Sequence, residues 1–344
     1  MSAAFVSAGS TAGTHHRAPR GGSQDVGPQM DGHRRIGQDE SVTAPSAGDP
    51  LLILAMDHRD SFAKLFGVID AEPSPADEAA MRAAKLLIYH GVRDARSQLD
   101  GGQAGVLVDE ELGAAVLSEA RRDGLAVAMP VEKSGQRLFE LQYGDDTEAH
   151  IAEFTPDYVK VLVRMNPADS ADDTAHQLAG LVALSKLLTE RSTAFLYELL
   201  VPATDEQLRR SGSQQAYDRD LRPELVAEVI AVNQQAGIEP TLWKIEGLET
   251  TAAAQDVVAA AKAGGRAADC VVLGRDAPQE VLDHWLAVAA PVPGFVGFAI
   301  GRSIWEDPLT RHRQDADDAR LVETVRDNYL HFARAYLESA QRRQ

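Results

Sequence analysis

From Leu51 onward the chain alternates between two kinds of stretch. Short, continuous apolar runs lie at Leu51–Met56, Gly105–Val108, Leu125–Met129, Tyr158–Val163, Ala194–Leu196, Thr241–Ile245, Cys270–Leu273 and Phe295–Ile300, each followed by polar, Gly or Pro residues. Continuous rather than alternating apolarity suits strands covered on both faces, as in a parallel sheet. Between the runs lie amphipathic stretches with helical spacing. Asp77–Gln98 has Ala80, Ala83, Ala84, Leu87 and His90 on one side, and Asp172–Thr189, Pro223–Ala236, Ala252–Ala263 and Gln279–Ala290 behave similarly. The last stretch, Asp318–Gln341, carries Leu321, Val325, Tyr329, Phe332 and Leu337. Eight strands each followed by a helix is the count of a (β/α)8 TIM barrel, so an α/β barrel is expected over residues 50–344. The rival, a doubly wound sheet, needs a Gly-rich turn after a strand; Gly101–Gly105 precedes one instead.

Residues 1–49 break the pattern. They hold eight of the 27 glycines, many Ser and Thr, and no apolar period. Such a segment cannot bury enough surface to offset its ordering entropy and reads as a disordered low-complexity tail. His15, His16 and His33 within it read as solvated side chains rather than metal ligands.

Composition narrows the partners. Acids outnumber bases 52 to 34, a net charge of -18, which disfavours nucleic acid and anionic membrane. A small anionic substrate stays compatible, because a few arginines make one pocket locally positive. The single cysteine, Cys270, excludes an intrachain disulfide and a Cys-rich zinc site, and its place at the start of a strand reads as a buried thiol. The first residues lack a basic segment followed by an apolar one, and no apolar run approaches the roughly 20 residues of a spanning helix. A cytoplasmic protein is expected. The acidic barrel and its apolar last helix are compatible with a homo-oligomer, although no symmetric interface is legible.

In a barrel of this kind the chemistry lies at the C-terminal ends of the strands. The residues there are Asp57-His58-Arg59, Asp109-Glu110-Glu111, Glu132-Lys133-Ser134-Gly135, Lys160 and Arg164, Glu198, Lys244 and Glu246, Gly274-Arg275, and Gly301-Arg302. Of the 34 basic residues only seven are lysines, yet Lys160 and Lys244 fall inside apolar runs. Arginine serves for an ion pair but cannot become a neutral amine nucleophile. A lysine desolvated beside another cation can attack a carbonyl and form a Schiff base. The plain alternative is that both lysines are core ion-pair partners of Glu198 and Glu246, and spacing alone favours the catalytic reading only modestly. Lys244 and Glu246 share a strand face, while Trp243 and Ile245 point to the helices. Glu198, at a strand tip among apolar neighbours, is expected to have a raised pKa suited to acid–base work. Two Gly-Arg pairs at consecutive strand ends, Gly274-Arg275 and Gly301-Arg302, favour phosphate binding over two chance turns. There is no Walker motif, and of the seven histidines after residue 50 only His58 lies at a strand end, so neither a metal nor another cofactor is expected.

The segments Ala55-Met-Asp-His-Arg-Asp, Met129-Pro-Val-Glu-Lys-Ser-Gly-Gln, Tyr158-Val-Lys-Val-Leu-Val-Arg, Glu198-Leu-Leu-Val-Pro, Trp243-Lys-Ile-Glu-Gly, Val272-Leu-Gly-Arg and Gly297-Phe-Ala-Ile-Gly-Arg-Ser-Ile-Trp resemble one known domain. It is the aldolase-like barrel fused C-terminally to 5-dehydro-2-deoxygluconokinase in bacterial myo-inositol catabolism. The likeness runs from about Leu51 to about Pro308; the kinase half is absent from this sequence, and its activity is not carried over. More distantly the pattern is similar to class I tagatose-bisphosphate and sulfofructose-phosphate aldolases. That resemblance implies Lys244 as the Schiff-base lysine, Glu198 as acid/base, and Lys160 and Asp57 as their catalytic partners. His58 stands where those enzymes carry Gln, which leaves the local substrate contact open.

The implied substrate is 2-deoxy-5-keto-D-gluconate 6-phosphate, cleaved between C3 and C4 into malonic semialdehyde and dihydroxyacetone phosphate. Gly274, Arg275, Gly301 and Arg302 would hold the phosphate, Arg59 or Arg164 the carboxylate, with Glu246 assigned to substrate binding. Two alternatives stand beside it: a class I aldolase for another phosphorylated keto sugar, and a non-catalytic barrel that binds phosphosugars in a regulatory role.

Overall fold

Alternation of faces along each strand decides the architecture. In the computed structural model, which describes residues 49–343, eight strands form a closed parallel barrel in chain order. They are β1 (Leu51–Ala55), β2 (Gln103–Leu107), β3 (Ala126–Pro130), β4 (Tyr158–Arg164), β5 (Ala194–Leu200), β6 (Leu242–Glu246), β7 (Asp269–Leu273) and β8 (Phe295–Ile300). Closure pairs Leu51 with Gly297 and Ile53 with Ala299. The TIM barrel expected from the run spacing is the observed fold. The tail expected at 1–49, with its three histidines, lies outside the described residues apart from Asp49.

The helices are α1 (Asp60–Leu65), α2 (Pro75–Arg96), α3 (Glu110–Arg122), α4 (Thr147–Phe154), α5 (Ala171–Glu190), α6 (Asp205–Ser211), α7 (Gln214–Ala216), α8 (Arg222–Gln235), α9 (Thr251–Ala261), α10 (Gln279–Ala289), α11 (Arg302–Asp315) and α12 (Asp318–Ala340). A π-helical turn, Tyr217–Leu221, joins α7 to α8. Ser74, Asp109, Ser170, Thr204, Thr250 and Asp317 each accept a backbone N–H at a helix start, a contribution of about 1 kcal/mol per cap. Among the described residues, no helix is long and apolar enough to cross a membrane.

Burial splits each strand between two cores. Leu52, Leu54, Val159, Val161, Tyr197, Leu199, Trp243 and Ile245 join the layer between barrel and helices. Leu51, Ile53, Ala55, Tyr158, Leu196, Leu242 and Ala299 fill the barrel interior. Two residues on from Ala55, Tyr158, Leu196 and Leu242, the same inward period reaches Asp57, Lys160, Glu198 and Lys244. The interior is thus apolar at the bottom and charged at the top.

Three details depart from the sequence expectations. Strand β5 runs to Leu200 rather than stopping at Leu196, because the inward Glu198 interrupts the apolar run without interrupting the strand. The buried face of α2 is Met81, Ala84, Lys85, Ile88, Tyr89 and Val92, whereas Ala80 and Ala83 are exposed and Leu87 and His90 half-buried. Polar anchors rotate that face. Lys85 pairs with Asp109 and donates to the carbonyls of Met56 (2.8 Å) and His58 (3.0 Å), and the Tyr89 hydroxyl donates to Asp123 (2.5 Å). On α12, Tyr336 rather than Leu337 is fully buried, its hydroxyl donating to the Phe295 carbonyl at 2.9 Å.

The first strand is held from outside at several points. Tyr329 donates to the Leu52 carbonyl (2.7 Å), Trp305 to Ala55 (2.9 Å), and Lys85 to the two carbonyls that flank Asp57. Replacing Lys85 by Met leaves Asp109 buried without its counter-charge, so Lys85→Met is expected to cost about 3–5 kcal/mol in urea unfolding. At the β1–β8 seam, Gly297 sits at φ +147°, and an added Cβ would lie 1.8 Å from the Leu51 carbonyl oxygen. Gly297→Ala is therefore expected to lower stability by about 1–3 kcal/mol or more, measured in the same titration.

Candidate active site

A cavity of about 380 Å³ opens at the C-terminal end of the barrel. Its walls carry seven cationic side chains (Arg59, Lys133, Lys160, Arg164, Lys244, Arg275 and Arg302) against four carboxylates (Asp57, Glu132, Glu198 and Asp276). A chain of strongly negative net charge has thus collected a positive excess around this hollow.

The centre of the site is Lys160, 1% exposed. Its Nζ lies 2.7 Å from Asp57 Oδ2, 2.6 Å from Glu132 Oε1 and 3.1 Å from Glu198 Oε2. The same Glu198 Oε2 lies 2.9 Å from Lys244 Nζ and bridges the two ammoniums. This closeness follows from register, because Glu198 and Lys244 are directly paired on β5 and β6. The structure therefore brings together Asp57, Lys160, Glu198 and Lys244. Both lysines are ion-pair partners of Glu198, and Glu246 takes no part in that cluster.

Protonation within the cluster is set by competition between burial and neighbouring charge. Burial pushes the Glu198 carboxyl up, but the Lys160 and Lys244 ammoniums outweigh it and hold the group below its ordinary value. The rise expected from apolar neighbours is corrected here, since two cations at about 3 Å were not visible in the linear sequence. Asp57 is likewise pulled far below the carboxylate range, its burial overcome mainly by Lys160 and Lys244. Lys160 is raised, because burial, which opposes its charge, is outweighed by Asp57, Glu132 and Glu198. Glu132 goes the other way: burial prevails over the single ammonium it touches and raises it.

His58 lines the same cavity, edge-on to Trp305 at 5.4 Å between ring centroids. Burial, with Arg302, Lys244 and Lys85 adding to it and Asp57 opposing, brings the imidazole down to about 4. It is neutral at pH 7.

The arginines are in different states. Arg59 is buried, donates to the Glu132 carbonyl oxygen at 2.5 Å and lies 3.6 Å from Glu111. Arg164 is exposed on the cavity wall and donates to the Gln136 carbonyl at 3.2 Å. Arg275 is held by Asp218 (2.9 Å) and Glu246 (3.1 Å), and Arg302 by Asp276 (3.0 Å). Glu246 does not line the cavity. It accepts from the Val201 N–H at 3.1 Å and stands behind Arg275, next to the fully buried Arg222.

The backbone around these side chains is specialised. Arg275 and Asp276 both have positive φ, 50° and 55°. A Cβ on Gly301 would meet the Ala55 carbonyl oxygen at 2.7 Å, so glycine permits the close approach of β8 to β1. The 14-residue helix α11 begins immediately after Gly301 with no side-chain cap, and the Ile304 N–H already donates to the Gly301 carbonyl at 2.8 Å, which leaves the N–H groups of Arg302 and Ser303 to an anion.

Two features escaped the sequence reading. Glu132 stood only in the ring of strand-end charges, although it is a direct partner of Lys160. Lys85 lies mid-helix, and nothing in its neighbours marks it as the residue that clamps the Asp57 turn. Among the described residues, no group of three or more His, Cys, Asp or Glu is arranged to hold a metal ion.

No curated protein matches the sequence. Among solved structures, the chain is similar to a fructose-bisphosphate aldolase from Plasmodium falciparum, crystallised with TRAP and a small-molecule inhibitor. The TM-score is 0.57 at 15% identity, covering 84% of this chain and 89% of that one. It is also similar to an archaeal fructose 1,6-bisphosphate aldolase, with a TM-score of 0.53 at 12% identity, covering 85% and 95%. At such identities the likeness is one of fold. Residues 27–340 match the family model described as "Uncharacterized protein conserved in bacteria (DUF2090)", and the chain belongs to that family.

Proposed function

We propose that this protein is a class I, Schiff-base aldolase acting on a phosphorylated keto sugar acid. The observation that carries the reading is the pair of interior lysines bridged by Glu198, 2.9 Å from Lys244 and 3.1 Å from Lys160. Lys244 is the nucleophile. An ionised carboxylate beside it accepts the ammonium proton, the neutral amine adds to the substrate ketone, and loss of water gives an iminium that serves as an electron sink. In the cleavage step Glu198, kept ionised by Lys160, takes the proton of the hydroxyl on the far carbon of the bond that breaks. Lys160 holds that carboxylate in place, and Asp57 holds Lys160.

The substrate preferred here is 2-deoxy-5-keto-D-gluconate 6-phosphate. The imine forms at C5, the C3 hydroxyl loses its proton, C3–C4 breaks, malonic semialdehyde leaves, and the C4 enamine is protonated and hydrolysed to dihydroxyacetone phosphate. The strand motifs that resemble the myo-inositol aldolase domain support this choice, as does a positively lined cavity of a size suited to a small sugar phosphate. The phosphate is assigned to Gly274, Arg275, Gly301 and Arg302 and the uncapped start of α11. For the carboxylate, Arg164 is preferred to Arg59, whose guanidinium is already engaged by Glu132 and Glu111. Glu246 acts by holding Arg275.

Borohydride reduction in the presence of dihydroxyacetone phosphate is expected to leave a stable adduct on the peptide containing Lys244. Lys244→Arg keeps the charge, loses the amine and is expected to abolish both adduct and cleavage. An adduct on Lys160 would transfer the nucleophile's role, and phosphate-ligand binding without any adduct would favour a binding protein. Arg164→Gln is expected to raise KM for the keto sugar acid about 10-fold or more, the loss of one charge-assisted contact, while leaving a ketose phosphate without a carboxylate nearly unaffected. Equal losses for both would point to another phosphorylated keto sugar.

A further inference from the structure

We infer that Glu132 is a catalytic carboxylic acid of this site, donating the proton with which the carbinolamine hydroxyl leaves as water when the Lys244 imine forms. The inference rests on the Schiff-base reading above and adds the acid which that reading leaves unnamed.

The geometry separates Glu132 from the other two carboxylates. Asp57, Glu132 and Glu198 face two ammoniums, and the buried Arg59 guanidinium that also faces Glu132 is shared with Asp109, Glu110 and Glu111, so one carboxyl can hold a proton while the cluster stays near neutral. Glu198 touches both ammoniums, and Asp57 lies 2.7 Å from Lys160. Glu132 touches Lys160 alone, through Oε1 at 2.6 Å. Its other oxygen, Oε2, is buried with no hydrogen-bond partner among the described residues, although the residue lines the cavity and is 5% exposed. An orphaned carboxyl oxygen in such a place is where a proton resides and where a substrate hydroxyl finds a partner.

The backbone keeps it there. Glu132 forms an antiparallel bridge with Leu141, and its carbonyl accepts from Arg59. The other candidate acids are shifted away from that role. Asp57 and Glu198 are held ionised by the lysines, Lys160 holds its proton too firmly, and His58 is a neutral imidazole. Only Glu132 is shifted upward among the three carboxyls, by burial. Neighbouring carboxyls whose environments drive their pKa values apart divide acid and base roles in this way.

The step balances. The carbinolamine C–O bond breaks, its oxygen departs as water with the Glu132 proton, and the nitrogen lone pair closes the C=N bond; the ammonium proton that Glu198 took from Lys244 then passes through Lys160, which touches both carboxyls, to Glu132, so that Glu198 is again ionised for cleavage. Imine hydrolysis runs the step in reverse and returns the proton.

The test uses the full chain with dihydroxyacetone phosphate as probe and follows the rate at which borohydride traps the adduct on Lys244. Glu132→Gln preserves the side-chain shape and an acceptor for Lys160, and is expected to slow trapping at least ~10²-fold. Formate is expected to restore part of the rate in Glu132→Ala, a rescue that a merely structural role would not give. Wild-type trapping is expected to decline on the alkaline side as Glu132 loses its proton, and this profile decides the matter if the variants do not fold. Trapping by Glu132→Gln within about threefold of wild type, or a wild-type rate that only rises with pH, would overturn the inference alone. No adduct in the wild type would remove the Schiff-base reading and this step with it.

Discussion

Lys160 is enclosed by Asp57, Glu132 and Glu198, which reach it from the ends of three different strands. Taking that ammonium out of water costs several kcal/mol, and only well-placed carboxylates offset it. The arrangement therefore constrains the whole upper barrel: β1, β3 and β5 must end at heights that put their acids within about 3 Å of one nitrogen. The same requirement sets the chemistry, since the distribution of Lys160's positive charge decides which carboxyl is ionised. Glu198 touches both ammoniums and is held low, whereas Glu132 touches one, and burial outweighs it together with Arg59 and pushes the carboxyl up.

Behind this cluster a set of buried donors acts on the backbone rather than on the cavity. Lys85, Trp305 and Tyr329, from α2, α11 and α12, all donate to carbonyls of β1 or the turn after it. Strand β1 is five residues long and ends at Ala55, two residues before Asp57, so its position depends on these outer contacts as much as on ladder hydrogen bonds. A second network, in which Asp218 and Glu246 lie between Arg275 and Arg222, fixes the opposite wall. Its arginine is held in a left-handed backbone conformation, a strain that persists only where surrounding contacts over-determine it.

Charge is distributed with the same economy. The chain as a whole is strongly acidic, yet the cavity walls hold more cations than anions. Local excess of one sign in a concave, low-dielectric site concentrates oppositely charged ligands even on a protein of unfavourable net charge. Arg275 and Arg302 are already ion-paired, so an anion would compete with Asp218, Glu246 and Asp276 for them, whereas Arg164 has no carboxylate partner among the described residues.

The sequence by itself determined the number of strands, their order as a barrel, and the inward face on which Lys160, Glu198 and Lys244 lie. Hydrophobic runs and the two-residue period of a strand are local properties, so they can be read without knowing what packs against them. Tertiary structure alone decided the rest. The buried face of α2 turned because Lys85 and Tyr89 found partners in Asp109 and Asp123, the residues that cap the two ends of α3, which no helical period could reveal. Glu132 became a partner of Lys160 because adjacent strands set their relative heights across the barrel. The ionisation of Glu198 came out opposite to the expectation from its apolar neighbours, because a pKa sums burial and charge over all directions in space, and the two decisive cations come from other strands.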